Sequence, residues 1–60
     1  MNRIRKIRKK LGISQSLLAQ GANISQPYLS DLENGRRGAK PETIERIAII
    51  LGVDVSELKV

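Results

Sequence analysis

Sixty residues with eleven Lys or Arg, six Asp or Glu and no His carry a formal net charge of +5. A chain this short forms one small domain that buries only about 60% of the surface its unfolded form exposes, which excludes large sheets and multi-domain enzymes. With no Cys and no His there is no disulfide framework and no thiolate metal site, and the commonest metal ligand and general base are missing, so nothing points to a cofactor, a metal or an enzyme.

Apolar residues recur at helical spacing almost throughout, and breakers divide the chain into five pieces. Ile4, Ile7 and Leu11 fall at i, i+3 and i+7, the face of a first helix that stops at Gly12. Ser14 is placed to cap a second helix, whose apolar positions Leu17, Leu18 and Ala19 run to Gly21. Asn23 follows as a turn residue, because Asn tolerates the left-handed conformation that a sharp turn between helices demands. Ser25 is the next cap, and Pro27 lies in a first turn, where a missing N–H costs little, so a third helix is expected to run to about Asn34 and end at Gly35. Arg36-Arg37-Gly38-Ala39-Lys40 reads as a basic loop. Pro41 then opens a fourth helix with the stripe Ile44, Ile47, Ala48 and Leu51, closed by Gly52. Asp54 and Glu57 have the spacing of a capping box, so the last residues are expected to form a short fifth helix anchored by Leu58.

The charge is distributed unevenly. Residues 1–30 hold Arg3, Arg5, Lys6, Arg8, Lys9 and Lys10 with no acid, whereas residues 31–60 hold five basic and six acidic groups. Such polarity suits a polyanion, either nucleic acid or an acidic membrane surface. The longest apolar run, Ile47 to Leu51, is far short of the roughly 20 residues that span a bilayer, and no apolar signal core follows the basic start. A cationic membrane-active helix needs bulky anchors, and the chain has neither Trp nor Phe. A soluble protein with no membrane partner is expected, and a Cys-free chain suits the reducing cytoplasm.

Two short helices joined by a tight turn meet at a steep angle, so that one braces across a nucleic-acid backbone while the other lies in a groove. Residues of about 15–34 form such a helix-turn-helix. The pattern Gln15-x-x-Leu18-Ala19, then Asn23-Ile24-Ser25-x-x-x-Leu29-Ser30-x-Leu32-Glu33-Asn34-Gly35, closely resembles the phage-repressor and Cro-like (Xre) DNA-binding family. The resemblance extends from about Ile4 to Leu58, through Ile4-x-x-Ile7-Arg8-x-x-x-Gly12-Ile13-Ser14-Gln15 and Thr43-Ile44-x-x-Ile47-Ala48-x-x-Leu51-Gly52-Val53. It implies an all-α, compact five-helix lambda-repressor-like domain over residues 1–60. Three positions depart from the family's habit: Asn23 stands where Gly is usual, Ala39 where a proline is usual, and Gly21 is an unusual choice in the last turn of helix two.

The side chains of helix three suggest how sequence would be read. Gln26, Pro27, Tyr28 and Asp31 lie outward while Leu29 and Leu32 point inward. Gln26 can pair bidentately with adenine N6 and N7, worth about 1–3 kcal/mol of discrimination, and is the best direct reader in the chain. Its plain alternative is a solvated Gln. Pro27 and the Tyr28 ring suit a thymine methyl or a sugar; otherwise they start the helix and cover its end. Asp31 either accepts from a cytosine amine or repels the wrong register, or it caps or pairs with a nearby basic side chain.

The resemblance implies phosphate contacts for Gln15 and Ser30, which fix register and carry no sequence information. Ser14 and Ser25 are expected mainly as caps, although a helix N-terminus is itself a phosphate site. Arg36, Arg37 and Lys40 are expected to grip the backbone beside the groove. The resemblance also implies that Arg8 and Glu33 face each other between the first and third helices as an internal ion pair.

These readings converge on sequence-specific binding of double-stranded DNA by a transcriptional regulator, expected to be a repressor. The alternative is a protein-interaction module on the same fold, an adapter or antitoxin-like partner. Ile49 opposite the core stripe, together with Val55 and Val60, forms a possible docking surface, and a homodimer through helices four and five is expected. No small-molecule ligand is expected, and a single aromatic residue disfavours single-strand binding.

Overall fold

The computed structural model describes residues 3–58. Four α-helices follow in order: α1 (Ile4–Lys10), α2 (Gln15–Gly21), α3 (Gln26–Glu33) and α4 (Pro41–Leu51). In place of a fifth α-helix there is one 3-10 turn, Val55–Glu57. The expected capping box of Asp54 and Glu57 is formed, but only a single turn separates it from Leu58. The bonds there run back three residues, from Glu57 N–H to Asp54 C=O at 2.9 Å and from Leu58 N–H to Val55 C=O at 3.0 Å, so the segment winds tightly.

All four helices stop by the same device. A left-handed residue closes each, directly after the C-cap in α1 to α3 and at the C-cap in α4: Gly12 at φ +72°, Asn23 at +58°, Gly35 at +74° and Gly52 at +70°. The next N–H reaches back to the carbonyl five residues earlier, as in Ile13 to Arg8 (3.0 Å), Ile24 to Ala19 (3.0 Å), Arg36 to Asp31 (2.9 Å) and Val53 to Ala48 (3.0 Å). These are Schellman closures, which satisfy carbonyls that a helix end leaves open. Asn23 is the one non-glycine among them, so the departure from Gly leaves the turn intact. The starts of α2 and α3 are fixed by serine: Ser14 Oγ accepts from the Leu17 N–H at 3.0 Å and Ser25 Oγ from the Tyr28 N–H at 3.2 Å.

Ile4, Leu18, Leu29, Leu32, Ile47 and Leu58 are fully buried, with Ala19, Ala22, Ala48 and Leu51 around them. This draws at least one residue from every helix into one core. The Arg3 N–H donates to the Leu58 carbonyl at 3.1 Å, tying the two ends of the described chain together. Gly21 lets α4 come close to α2: a Cβ there would meet Ile50 Cδ1 at 3.0 Å.

Two apolar positions expected in the core lie outside it. Leu11 is 52% exposed and Leu17 is 58% exposed. Leu11 follows the last residue of α1 as its C-cap, and the turn at Gly12 carries the chain away before a third contact forms on that face. On α2, Leu18 and Ala19 take the inward positions, so Leu17, one residue before them, faces outward. Ile44 and Val55 are half-buried at the core's edge, and Ile49 is 78% exposed. Val60 lies outside the described residues.

Candidate nucleic-acid interface

Burial of Leu29, Leu32 and Glu33 fixes how α3 is rotated. That rotation leaves Gln26 and Pro27 exposed, and Tyr28, Ser30 and Asp31 half-exposed. The outward flank of α3 therefore begins at the helix's first residue and is polar along most of its length.

Glu33 carries a buried ion pair. Arg8 Nε donates to Glu33 Oε2 at 2.7 Å and Arg8 Nη2 to Oε1 at 3.1 Å, a two-pronged geometry that only a guanidinium supplies. The side chains are 9% and 2% exposed. Arg8 Nη1 also donates to the Ile13 carbonyl at 3.0 Å, so α1, the α1–α2 turn and α3 are locked by one side chain.

From this pair a line of hydrogen bonds runs to the surface. Gln15 Nε2 donates to Glu33 Oε1 at 3.2 Å, and Gln26 Nε2 donates to Gln15 Oε1 at 3.2 Å. The first residue of α2 and the first residue of α3 thus meet, side chain to side chain.

The basic loop lies at the other end of α3. Asp31 is paired with Arg36 Nη1 at 3.4 Å and with Arg37 Nε at 3.5 Å, and the two arginine side chains are about two-thirds exposed. Pairs this open are worth about 0–1 kcal/mol, so either guanidinium can exchange the carboxylate for another anion at small cost. Of the alternatives for Asp31, pairing with nearby basic side chains is what the structure displays. The Arg37 guanidinium also stands 5.8 Å from the centre of the Tyr28 ring. Lys40 is the exposed N-cap of α4 and makes no capping bond through its side chain.

Ser25, Tyr28, Arg37 and Lys40 line one shallow groove with Glu42, Thr43 and Arg46. Ser30 stands apart from them: its hydroxyl is 3.4 Å from Asn34 Nδ2, which donates more strongly to the Ser30 carbonyl at 2.8 Å. Pro27 occupies the first turn of α3 beside Gln26.

The sequence reading missed Arg46. Its Nε donates to the Ala22 carbonyl at 2.9 Å, closing the end of α2 from α4 while adding a third cation to the groove that holds Arg37 and Lys40. A backbone carbonyl has no residue signature, so nothing in the sequence announces this bond. Among the described residues no helix is long and apolar enough to cross a membrane, and no group of acidic side chains is arranged to hold a metal.

Comparison with known proteins gives a consistent result. The family pattern described as helix-turn-helix matches residues 4–58. The chain is 41% identical over 93% of its length to the HTH-type transcriptional regulator DdrOP3 of Deinococcus deserti, covering 43% of that protein. It is also 41% identical over 93% of its length to the immunity repressor protein of Bacillus phage phi105, covering 39% of it. The chain thus spans about two-fifths of the length of these two relatives. Among solved structures, SinR of Bacillus subtilis in complex with DNA superposes with a TM-score of 0.83 at 33% identity, over 90% of this chain and 87% of that one. With helix positions, turn closures and the family pattern in agreement across residues 4–58, the chain belongs to the Xre-like helix-turn-helix family.

Proposed function

We propose that this protein binds double-stranded DNA sequence-specifically as a transcriptional regulator, laying α3 lengthwise in the major groove. The observation that carries this reading is the rotation of α3: its apolar residues are buried, and Gln26 is exposed at the end that would enter first. Gln26 reads adenine through N6 and N7. Pro27 and Tyr28 meet a thymine methyl or a sugar. Gln15 and Ser30 touch phosphates and hold the register. Arg36 and Arg37 leave weak partners, and Lys40 is exposed, for the backbone phosphates beside the major groove, and Ser25 lines the shallow protein groove that holds Arg37 and Lys40. The names of two relatives, an immunity repressor and a transcriptional regulator, support action by occupying an operator, with repression the favoured outcome and no catalysis. A Cys-free chain acting on DNA belongs in the cytoplasm.

A single domain reads only a few base pairs, and the reading includes a homodimer through α4 and the 3-10 turn. Ile49, 78% exposed on α4, is the feature that favours it. Two copies would place their α3 helices in half-sites about 34 Å apart.

The test is a titration at several salt concentrations against duplexes selected from a random pool and against scrambled controls. The reading expects selected duplexes to bind at least tenfold tighter than scrambled ones, with log K falling linearly in log salt by about 0.9 per phosphate neutralised. Equal affinity for both sets of duplexes would refute it.

A further inference from the structure

We infer that Glu33 is a positioning residue for base readout: from inside the domain it fixes which edge of the Gln26 amide faces outward. The inference rests on the DNA reading above and adds to it a determinant of specificity that cannot itself touch DNA, since Glu33 is 3% exposed.

A carboxylate only accepts hydrogen bonds, while a Gln amide both donates and accepts and can turn over with no change of shape. Arg8 occupies both Glu33 oxygens, at 2.7 and 3.1 Å, and so holds the carboxylate in one orientation. The lone pair left on Oε1 faces Gln15, and only the NH2 end of Gln15 can bond there, at 3.2 Å. Gln15 is therefore forced to present Oε1 on its other side, where it accepts from Gln26 Nε2 at 3.2 Å.

That second bond consumes one of the two Gln26 N–H groups. What remains free on Gln26 is one donor and one carbonyl oxygen, which matches adenine: N7 accepts and the N6 amine donates. With Gln15 turned over, the Gln26 oxygen would be occupied instead and both N–H groups would be free, which matches guanine, where N7 and O6 both accept. The choice between two purines is thus set by an acceptor-only group two bonds back from the surface.

Replacing Glu33 with Gln changes its polarity at constant shape. The new amide keeps its single oxygen for Arg8 Nε, at the cost of the Arg8 Nη2 bond, and turns its NH2 toward Gln15, so Gln15 reverses and Gln26 with it. Replacing Gln15 with Met cuts the line outside the ion pair, and therefore reports even if Glu33→Gln does not fold. Leu51→Ala lowers stability from a core position outside the line.

The first arm uses free protein, following the side-chain amide signals of Gln26 by NMR. Gln15→Met and Glu33→Gln are expected to move them and Leu51→Ala to leave them in place; signals unmoved by Gln15→Met overturn the inference. The second arm compares binding to the best duplex from a random pool with binding to the same duplex carrying guanine for the adenine opposite Gln26. Wild type and Leu51→Ala are expected to share one adenine-to-guanine ratio, and Glu33→Gln to reduce it about tenfold or more. A merely structural Glu33 would weaken all duplexes alike and leave the ratio unchanged, which overturns the inference. If the amide signals respond but wild type selects no duplex, the DNA reading fails and takes the readout with it, while the bonds stand.

Discussion

Arg8→Met is the most informative test of how this fold is held. The substitution keeps a long side chain but removes the guanidinium, taking away two bonds to Glu33 and one to the Ile13 carbonyl. It leaves the Glu33 carboxylate 2% exposed, with the Gln15 amide as its remaining side-chain donor. Breaking a buried pair from one side costs about 3–5 kcal/mol, because the abandoned charge keeps its desolvation penalty. A chain of this size has roughly 3–9 kcal/mol of total stability, at about 0.05–0.15 kcal/mol per residue. The loss should therefore lower the melting temperature by about 20 °C or more, at up to about 8 °C per kcal/mol for so small a domain. Urea unfolding followed by circular dichroism at 222 nm measures the free energy directly. The companion variant Arg8→Met with Glu33→Leu removes both charges and should recover more than half of the loss. An Arg8→Met protein within about 1 kcal/mol of wild type would refute the reasoning, since an exposed pair would behave that way.

Three further outcomes follow from particular residues. Gly21→Ala sets a gain in helix propensity of about 1 kcal/mol against a 3.0 Å approach to Ile50 Cδ1; that atom is the far end of a flexible, half-buried side chain, so thermal melting should show equal or slightly higher stability. Asn23→Val puts a branched side chain at φ +58° and should cost at least about 1–2 kcal/mol in denaturant titration, while Asn23→Gly should stay within about 0.5 kcal/mol of wild type. Ile49→Glu should abolish self-association measured by analytical ultracentrifugation without lowering the melting temperature by more than a few degrees; a wild-type chain that stays monomeric at high concentration, with and without DNA, removes the dimer.

The ends of all four helices and the starts of α2, α3 and α4 were legible because they are written in local chemistry. Ser14 and Ser25 start helices, Pro41 opens one, and Gly12, Asn23, Gly35 and Gly52 supply the left-handed closures. Leu11 and Leu17 were misread because apolar spacing does not know where a helix stops or how it is rotated. A seven-residue α1 has no room for an i+7 contact. The length of the last element was lost for a related reason: a capping box marks a start and says nothing about how many residues follow. Bonds across the fold were beyond local reading. Arg46 to the Ala22 carbonyl joins residues twenty-four apart, and Gln26 and Glu33, the first and last residues of α3, share Gln15 as a partner only because the fold sets the start of α2 against α3. The outward residues of α3 could be named from helical phase. Their partners, Asp31 with two arginines and Gln26 with Gln15, required the fold.

The central claim is that α3 chooses the sequence while the basic loop supplies attraction, and one comparison separates the two: Gln26→Ala against Arg37→Ala, each titrated on a duplex selected by the wild type and on its single-base variants across a range of salt. Gln26→Ala should lose about 1–3 kcal/mol of preference at one base position with its salt slope unchanged, and Arg37→Ala should weaken every duplex alike with a slope smaller by about 1. If the two substitutions instead weaken all duplexes equally and leave every base preference as it was, α3 does not read the groove.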